Sequence, residues 1–328
     1  MGTRMDKVLL IAGYGGHAGF AYTVGHYLAE RGIELDILVP RGYSWVRERM
    51  MRLGRVIEMT LPRKPAEPIY RGLPRWIQAL KESIRVCRNK YTVVFASGSN
   101  FSIPPSLTCM LAGSMILTIE DVARFTERSR AVSTLYRLGA KVFLHWEEQL
   151  NLYGKGIVSG PVYEPPLYEP RDEGYILVST GTFGHRTLFD TISRLGLKRV
   201  VMQTGDVDPE PYRRGHPEWV VFQYTSDIHR WIAGASLVVT HYPGTTALTA
   251  RLAYGKPVVM VYSPRHTLAA PRGDSSKLAE KLNAVYLEEV DPARLAEAIE
   301  EARGMKAPRY SNGGEYIAEY ILRLGSKH

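Results

Sequence analysis

The stretch Val8-Leu9-Leu10-Ile11-Ala12, followed at once by Gly13-Tyr14-Gly15-Gly16-His17, limits what this chain can fold into more than any other. Five apolar residues in an unbroken run predict a parallel strand buried on both faces. From Ala18 to Arg31 apolar residues recur at helical spacing, and Gly32 stops the pattern. The glycines therefore sit at a strand-to-helix turn. There they allow the backbone to approach a ligand closely and leave the first helical N–H groups for an anion or a polar oxygen. His17 stands at the mouth of that turn.

The same residues satisfy a second template. Gly13-x-Gly15-x-x-Ala18 fits the dinucleotide fingerprint, in which the second strand ends in an acid that holds a ribose. Here the strand at 34–39 runs into Val39-Pro40-Arg41. Arg41 suits a 2′-phosphate, so an NADP-dependent reductase stands as one alternative. A glycine turn with a surface histidine and no chemistry is another.

The 328 residues suffice for two α/β domains, each with its own core. Cys87 and Cys109 have no metal-ligand spacing, and two cysteines argue against a disulfide framework. The longest apolar stretch, 103–119, is interrupted by Pro104, Pro105, Ser106, Thr108, Gly113, Ser114 and Thr118. With neither a spanning run nor a signal peptide, the expectation is a protein of the reducing cytoplasm. Nine Asn and Gln in all, against plentiful Arg and Tyr, lean toward a heat-adapted source.

The net charge of +9 is concentrated. Residues 41–90 hold thirteen Lys or Arg against four acids, interleaved with Tyr43, Trp45, Met50, Met51, Trp76 and Ile77. Cations mixed with interfacial aromatics suit a helix lying on an anionic bilayer. No nucleic-acid motif accompanies them, and nucleic acid is not an expected partner. A merely solvated arginine-rich face is the alternative.

Helices are expected at 44–55 and 76–89, with a short strand at 55–59 between them. Pro62, Pro65, Pro68 and Pro74 mark an irregular segment suited to a mobile loop over a cleft. The strand 91–96 ends at Ser97-Gly98-Ser99-Asn100, and ligands of open α/β sheets bind at such carboxyl ends. The strand 115–119 is followed by Glu120-Asp121, which suit a general base or a sugar-hydroxyl acceptor. The alternative is that they N-cap a helix from Val122 onward.

Ile119-Glu120-Asp121-Val122-Ala123-Arg124-Phe125, then Leu135-Tyr136, Ala140 and Trp146-Glu147-Glu148, resembles the acceptor-side, membrane-associating subunit of the eukaryotic UDP-GlcNAc transferase. That enzyme makes chitobiosyl-diphospho-dolichol in asparagine-linked glycosylation. The subunit carries a glycine-glycine-histidine turn after its first strand, matched by Gly15-Gly16-His17. The resemblance covers most of residues 6–162. It departs at the transmembrane helix of that subunit, which has no counterpart here. Membrane attachment is therefore expected to be peripheral, at the cytoplasmic face, through Trp45, Arg49, Arg75 and Trp76.

Gly160 to Pro170 is proline-rich and reads as a stiff linker. Beyond it, buried-strand patterns at 175–178, 200–202, 219–222, 237–240 and 258–261 restart a parallel sheet. Two of them close on Ser179-Thr180-Gly181-Thr182 and His241-Tyr242-Pro243-Gly244-Thr245-Thr246, a cradle suited to a diphosphate. These two turns, Gly255-Lys256-Pro257 and the helix 277–282 make this half similar to the donor-binding subunit of the same transferase. It is also similar to the C-terminal domain of the bacterial GlcNAc transferase that completes the peptidoglycan lipid precursor. Relatives carry a glutamate that holds the ribose where this chain has Ala250. They carry a glutamine where this chain has Asp274-Ser275-Ser276.

Together these readings imply an α/β protein of the GT-B arrangement, two Rossmann-like doubly wound domains facing across a cleft. The expected divisions are an acceptor domain (1–162), a linker (163–173), a donor domain (174–308) and a terminal helix (309–328) crossing back to the first domain. The expected activity is an inverting transfer of GlcNAc from UDP-GlcNAc to a polyprenyl-diphosphate-linked sugar. The resemblance points to His17 or Glu120 as base, with Gly15, Gly16, Ser99 and Asn100 on the acceptor. The donor falls to Ser179, Thr180, Gly181, Thr182, His241, Gly244, Thr245, Thr246 and Asp274. No cofactor and no metal are expected to be required, since fixed dipoles suit the leaving diphosphate. A sugar-nucleotide 2-epimerase of the same architecture and a non-catalytic partner that docks a transferase at the membrane are the alternatives.

Overall fold

The computed structural model describes residues 7–63, 67, 72–264 and 270–325. The chain forms two compact units, Met1–Val162 with Ser311–His328, and Tyr163–Tyr310.

The first unit is built on a sheet of seven strands among the described residues: β1 (Val8–Ile11), β2 (Leu35–Pro40), β3 (Arg55–Met59), β4 (Val93–Ala96), β5 (Met115–Ile119), β6 (Lys141–Leu144) and β7 (Ile157–Val158). All pairings are parallel, in the order β3-β2-β1-β4-β5-β6-β7. The order reverses between β1 and β4, where Ile11 pairs with Ala96. Crossovers leave to opposite sides at such a point, so the carboxyl ends of β1 and β4 open a crevice. β1 and β4 are wholly buried, as their unbroken apolar runs require.

Its helices are α1 (Gly16–Glu30), α2 (Ser44–Met50), α3 (Leu73–Cys87), α4 (Ile103–Leu111) and α5 (Arg130–Arg137). Helix α2 is shorter than its sequence pattern, because Gly54 brings the following turn against β2. A Cβ at Gly54 would stand 2.4 Å from the carbonyl oxygen of Leu35. No helix starts at Val122. α5 begins at Arg130, where the Ser129 side chain accepts from the Val132 N–H.

Cys87 and Cys109 form a disulfide between α3 and α4, contrary to the expectation from their number and spacing. The two helices pack together and bring the Cα atoms to 5.1 Å. No linear pattern announces a pair 22 residues apart on two helices.

The second unit has a six-stranded parallel sheet among the described residues: β8 (Tyr175–Ser179), β9 (Val200–Gln203), β10 (Val220–Phe222), β11 (Ala235–Tyr242), β12 (Val258–Tyr262) and β13 (Val285–Leu287). The order is β10-β9-β8-β11-β12-β13, which reverses between β8 and β11. Its helices are α6 (Arg186–Arg194), α7 (Glu210–Gly215), α8 (Ile228–Gly234), α9 (Thr245–Leu248), α10 (Ser275–Leu282) and α11 (Pro292–Arg303). Leu188, Phe189, Ile192, Val239 and Ile299 are among the residues of its core. α9 runs straight into a π-helical turn at Thr249–Ala253. There Arg251, fully buried, donates to the carbonyls of Leu282 (2.9 Å), Lys256 (3.0 Å) and Asn283 (2.6 Å).

The proline-rich stretch read as a linker is packed into this second unit from Tyr163 onward. His229 sits 2.6 Å from Glu164 and 2.8 Å from the Tyr254 hydroxyl, which accepts from the Leu167 N–H. Hydrogen bonds from Arg171 and Glu173 to Ala233 and Gly234 continue the attachment. The last helix, α12 (Gly313–Gly325), packs on α1 in the first unit. The contact is close because Gly314 lacks a Cβ, which would stand 2.5 Å from Thr23 Cγ2. Arg31 reaches Glu315 at 3.0 Å across the same contact.

Candidate active site

At the β1/β4 switch point the two polar loops meet through named bonds. Gly13 N–H donates to Ser97 Oγ at 3.1 Å, and His17 Nδ1 lies 2.7 Å from the Ser97 carbonyl oxygen. A carbonyl only accepts, so Nδ1 carries the proton and Nε2 of the neutral ring keeps its lone pair. His17 is partly exposed at the start of α1, whose first turn holds no acid and whose N-cap, Gly15, makes no side-chain bond. Gly15 has φ +60°, and a Cβ there would meet nothing within 4 Å. The turn is open to a ligand.

Gly98, with φ +96°, is the residue on which this geometry depends. A Cβ there would stand 2.7 Å from the Ile119 carbonyl and 3.6 Å from His17 Nδ1. Ser99 Oγ is buried against Gly13 without a hydrogen-bond partner. Asn100 donates from Nδ2 to the Arg63 carbonyl at 3.0 Å, which ties residue 63 to the crevice. Tyr14 stacks on Tyr43, and its hydroxyl is pushed up to about 12 by burial and by Tyr43, against the pull of Arg63.

Glu120 lies in the same unit but is fully buried. Its carboxylate accepts from Asp121 N–H (2.7 Å), Ser129 N–H (3.0 Å) and the Tyr153 hydroxyl (2.5 Å). Burial raises its pKa, and the three donors oppose that shift. His145, also buried, donates from Nε2 to the Glu120 carbonyl (2.9 Å) and accepts at Nδ1 from Val162 N–H (3.0 Å). Burial drives His145 down to about 3. Glu120 thus holds the loop 120–129 in place, with both oxygens engaged by its own domain.

In the second unit, the β8/β11 switch point brings Ser179–Thr182 beside His241–Thr246. Thr240 Oγ1 donates to the Ser179 carbonyl at 2.7 Å. The His241 ring fills the space between the two turns. A Cβ on Gly181 or on Gly244 would stand 3.1 or 3.0 Å from its Cε1. Gly181 has φ +66°, and the Thr180 hydroxyl is buried without a partner. Thr245 and Thr246 open α9, while Asp274 is buried at the start of α10. Helix α6 is capped by His185, whose Nδ1 accepts from Leu188 N–H. Ala250 is fully buried in the π-helical turn.

Several residues at these sites escaped sequence reasoning. Ser97 orients His17, and Tyr153 and Ser129 hold Glu120. Beside Thr182, the exposed Tyr224 hydroxyl donates to Asp206 and lies 3.3 Å from the Thr182 carbonyl oxygen. Asp206-Val207-Asp208 is an Asp-x-Asp spacing at the carboxyl end of β9. Asp206 N–H bonds the Thr182 carbonyl and Asp208 accepts from Glu210 N–H. The Asp-x-Asp spacing is itself legible in the linear sequence, and Gly205 directly precedes it. No cluster of three or more metal-ligating side chains occurs among the described residues.

Of the residues read as membrane anchors, Trp45 and Trp76 are both partly buried, Arg49 lies over the Tyr22 ring at 4.1 Å, and Arg75 pairs with Glu67. The exposed apolar stripe is different: Leu73, Ile77, Leu80 and Ile84 of α3, each 40 to 61 % exposed. Among the described residues no helix is long and apolar enough to cross a membrane.

Comparison with known proteins bears on the second half directly. Residues 176–318 match the glycosyltransferase family 28 C-terminal domain. Comparison of the sequence with curated proteins gives no match. Among solved structures, the chain is similar to MurG of Acinetobacter baumannii, with TM-score 0.66 and 16 % identity over 97 % of this chain and 99 % of that one. It is similar to the UDP-GlcNAc 2-epimerase of Neisseria meningitidis bound to UDP-GlcNAc, with TM-score 0.62 and 14 % identity over 98 % and 100 %. The S. aureus MnaA–UDP co-structure matches with TM-score 0.67 and 13 % identity over 98 % of each chain. At these identities the likeness is one of fold: the chain is a GT-B protein of two Rossmann-like units, and its residues 176–318 match the family 28 C-terminal domain.

Proposed function

We propose that this protein is an inverting glycosyltransferase that moves GlcNAc from UDP-GlcNAc to a hydroxyl of a polyprenyl-diphosphate-linked sugar, in the assembly of a lipid-linked N-glycan precursor on dolichol. The observation that carries this reading is His17: its Nδ1–H is committed to the Ser97 carbonyl, which leaves Nε2 as a base at an open glycine turn. Nε2 takes the proton of the acceptor hydroxyl as that oxygen bonds the anomeric carbon. The bond from that carbon to the diphosphate breaks, and UDP leaves with the electron pair. Ser179, Thr180, Gly181, Thr182, His241, Gly244, Thr245 and Thr246 are the groups we assign to the diphosphate, with Asp274 for a donor hydroxyl. Glu120 is assigned to holding the acceptor loop, because it is fully buried and both of its oxygens accept from groups of its own unit. The family 28 match over residues 176–318 supports a nucleotide-sugar donor.

The stripe Leu73, Ile77, Leu80 and Ile84, flanked on α3 by Lys81 and Arg85, supports peripheral attachment to an anionic membrane surface. The experiment is incubation with UDP-[³H]GlcNAc and a GlcNAc-diphospho-polyprenol, counting label in the organic phase. Label in lipid that is lost with His17→Ala supports the reading; no label with any sugar-diphosphate lipid overturns it. Likeness to UDP-GlcNAc 2-epimerase structures favours one second reading. In that case UDP-GlcNAc is consumed without any lipid acceptor.

A further inference from the structure

The chain leaving β8 runs through Ser179–Thr182 and enters α6 by way of Phe183, Gly184 and His185. Two glycines seat one side of this connection. A Cβ on Gly184 would stand 2.2 Å from the Thr204 carbonyl oxygen, and a Cβ on Gly205 would stand 2.4 Å from that of Thr182. Asp206 N–H donates to the same Thr182 carbonyl at 2.8 Å. The turn is thereby pressed against the chain leaving β9. Toward β12, the connection is held by the His185 side chain.

His185 is only 8 % exposed, and its ring is bonded at both nitrogens. Nδ1 accepts from Leu188 N–H at 3.3 Å, in the first turn of α6. The proton is therefore on Nε2, which donates to the Tyr262 carbonyl at 3.0 Å. Tyr262 is the last residue of β12 and pairs in register with Tyr242 of β11. On the other side of β11, Thr240 pairs with Ser179 at the end of β8. β11 thus lies between the two strands that the ring connects, each about 4.8 Å from it. One imidazole joins the segments on either side of the strand that runs into His241–Thr246.

Capping alone does not call for histidine. Ser, Thr, Asp and Asn are the ordinary caps, and their short side chains end at the helix they cap. The imidazole caps with one nitrogen and reaches a further strand with the other. A cradle of backbone N–H groups holds an anion by its spacing, and turns free to drift must be ordered by the ligand at a cost in affinity.

We propose that His185 is a positioning residue for the donor: its bridge to Tyr262 fixes the turn Ser179–Thr182 relative to His241–Thr246, and so sets the affinity for a nucleoside diphosphate. The proposal rests on the reading that these two turns take the diphosphate. It is tested by calorimetry with UDP on the full chain, as wild type and as His185→Asn, His185→Gln and His185→Ala. Asn caps α6 and is too short for Tyr262; Gln reaches Tyr262 and caps poorly. His185→Asn therefore keeps the thermal midpoint within a few degrees of wild type and weakens UDP binding about fivefold to tenfold. His185→Gln melts lower than His185→Asn and yet binds UDP more tightly, while His185→Ala loses both properties. UDP affinity in His185→Asn equal to wild type, or affinities that follow the thermal midpoints through all three variants, overturns the proposal. A wild type that binds no UDP removes the donor reading and the proposal together. The expected order of affinities without transfer of labelled GlcNAc to lipid sinks the transferase reading and leaves His185 in its role.

Discussion

His17 Nδ1 lies 2.7 Å from the carbonyl oxygen of Ser97, eighty residues away on the adjacent strand end. The bond ties the first glycine turn to the loop after β4 and chooses the imidazole tautomer. Replacing His17 with Ala should lower kcat by about 10² to 10⁴ while leaving acceptor KM nearly constant. Steady-state kinetics with unchanged circular dichroism checks it; a kcat within a few-fold of wild type removes His17 as base.

Gly98→Ala should harm folding and activity together. The residue has φ +96°, and its Cβ would press on the Ile119 carbonyl at 2.7 Å. Left-handed backbone plus the contact should cost about 2 kcal/mol or more. The displaced loop carries Ser97, so kcat should fall further than the lost stability explains. Denaturant titration beside kinetics separates the two effects.

Reducing the Cys87–Cys109 bond releases a closed loop of sequence separation 22. Chain-entropy arguments put the loss near 3 kcal/mol, felt as a lower denaturation midpoint. Cys87→Ser with Cys109→Ser should match the reduced wild type. Equal midpoints with and without dithiothreitol in the wild type would count against the disulfide.

His145 makes stability pH-dependent. Its folded pKa is depressed from 6.5 to about 3 by burial. The unfolded chain therefore binds a proton below 6.5 that the folded chain refuses. The stability is present above that pH and is lost as pH falls toward the folded value, by about 1.4 kcal/mol per unit. Glu120, raised by burial, acts in the opposite direction by protonating in the folded state above its usual range. Comparing His145→Phe with wild type between pH 6 and 4 isolates the first effect. The variant, although less stable at neutral pH, should lose stability less steeply.

Ile77→Ser with Leu80→Ser should reduce sedimentation with anionic vesicles several-fold and leave the thermal midpoint unchanged, since both side chains are at least 40 % exposed. High salt should weaken binding further, because the flanking cations are screened. Unaltered vesicle binding would detach the stripe from the membrane reading.

Linear sequence determined a great deal here. Uninterrupted apolar runs such as Val8–Ile11 and Val93–Ala96 announce strands buried on both faces, because a parallel sheet covered by helices offers no wet side. Glycine turns at strand ends located Gly13–His17, Ser97–Asn100, Ser179–Thr182 and His241–Thr246, since only those backbones permit the close approaches now seen. Tertiary structure alone decided the rest. Which strand ends become neighbours depends on sheet order, and that order put Ser97 on His17. The fate of Glu120 depended on Tyr153 and Ser129, which reach it from other elements and turn an apparent base into a buried brace. Cys87 met Cys109 through the packing of α3 on α4. Periodicity reports which residues share a face; only the packed neighbours decide what that face meets.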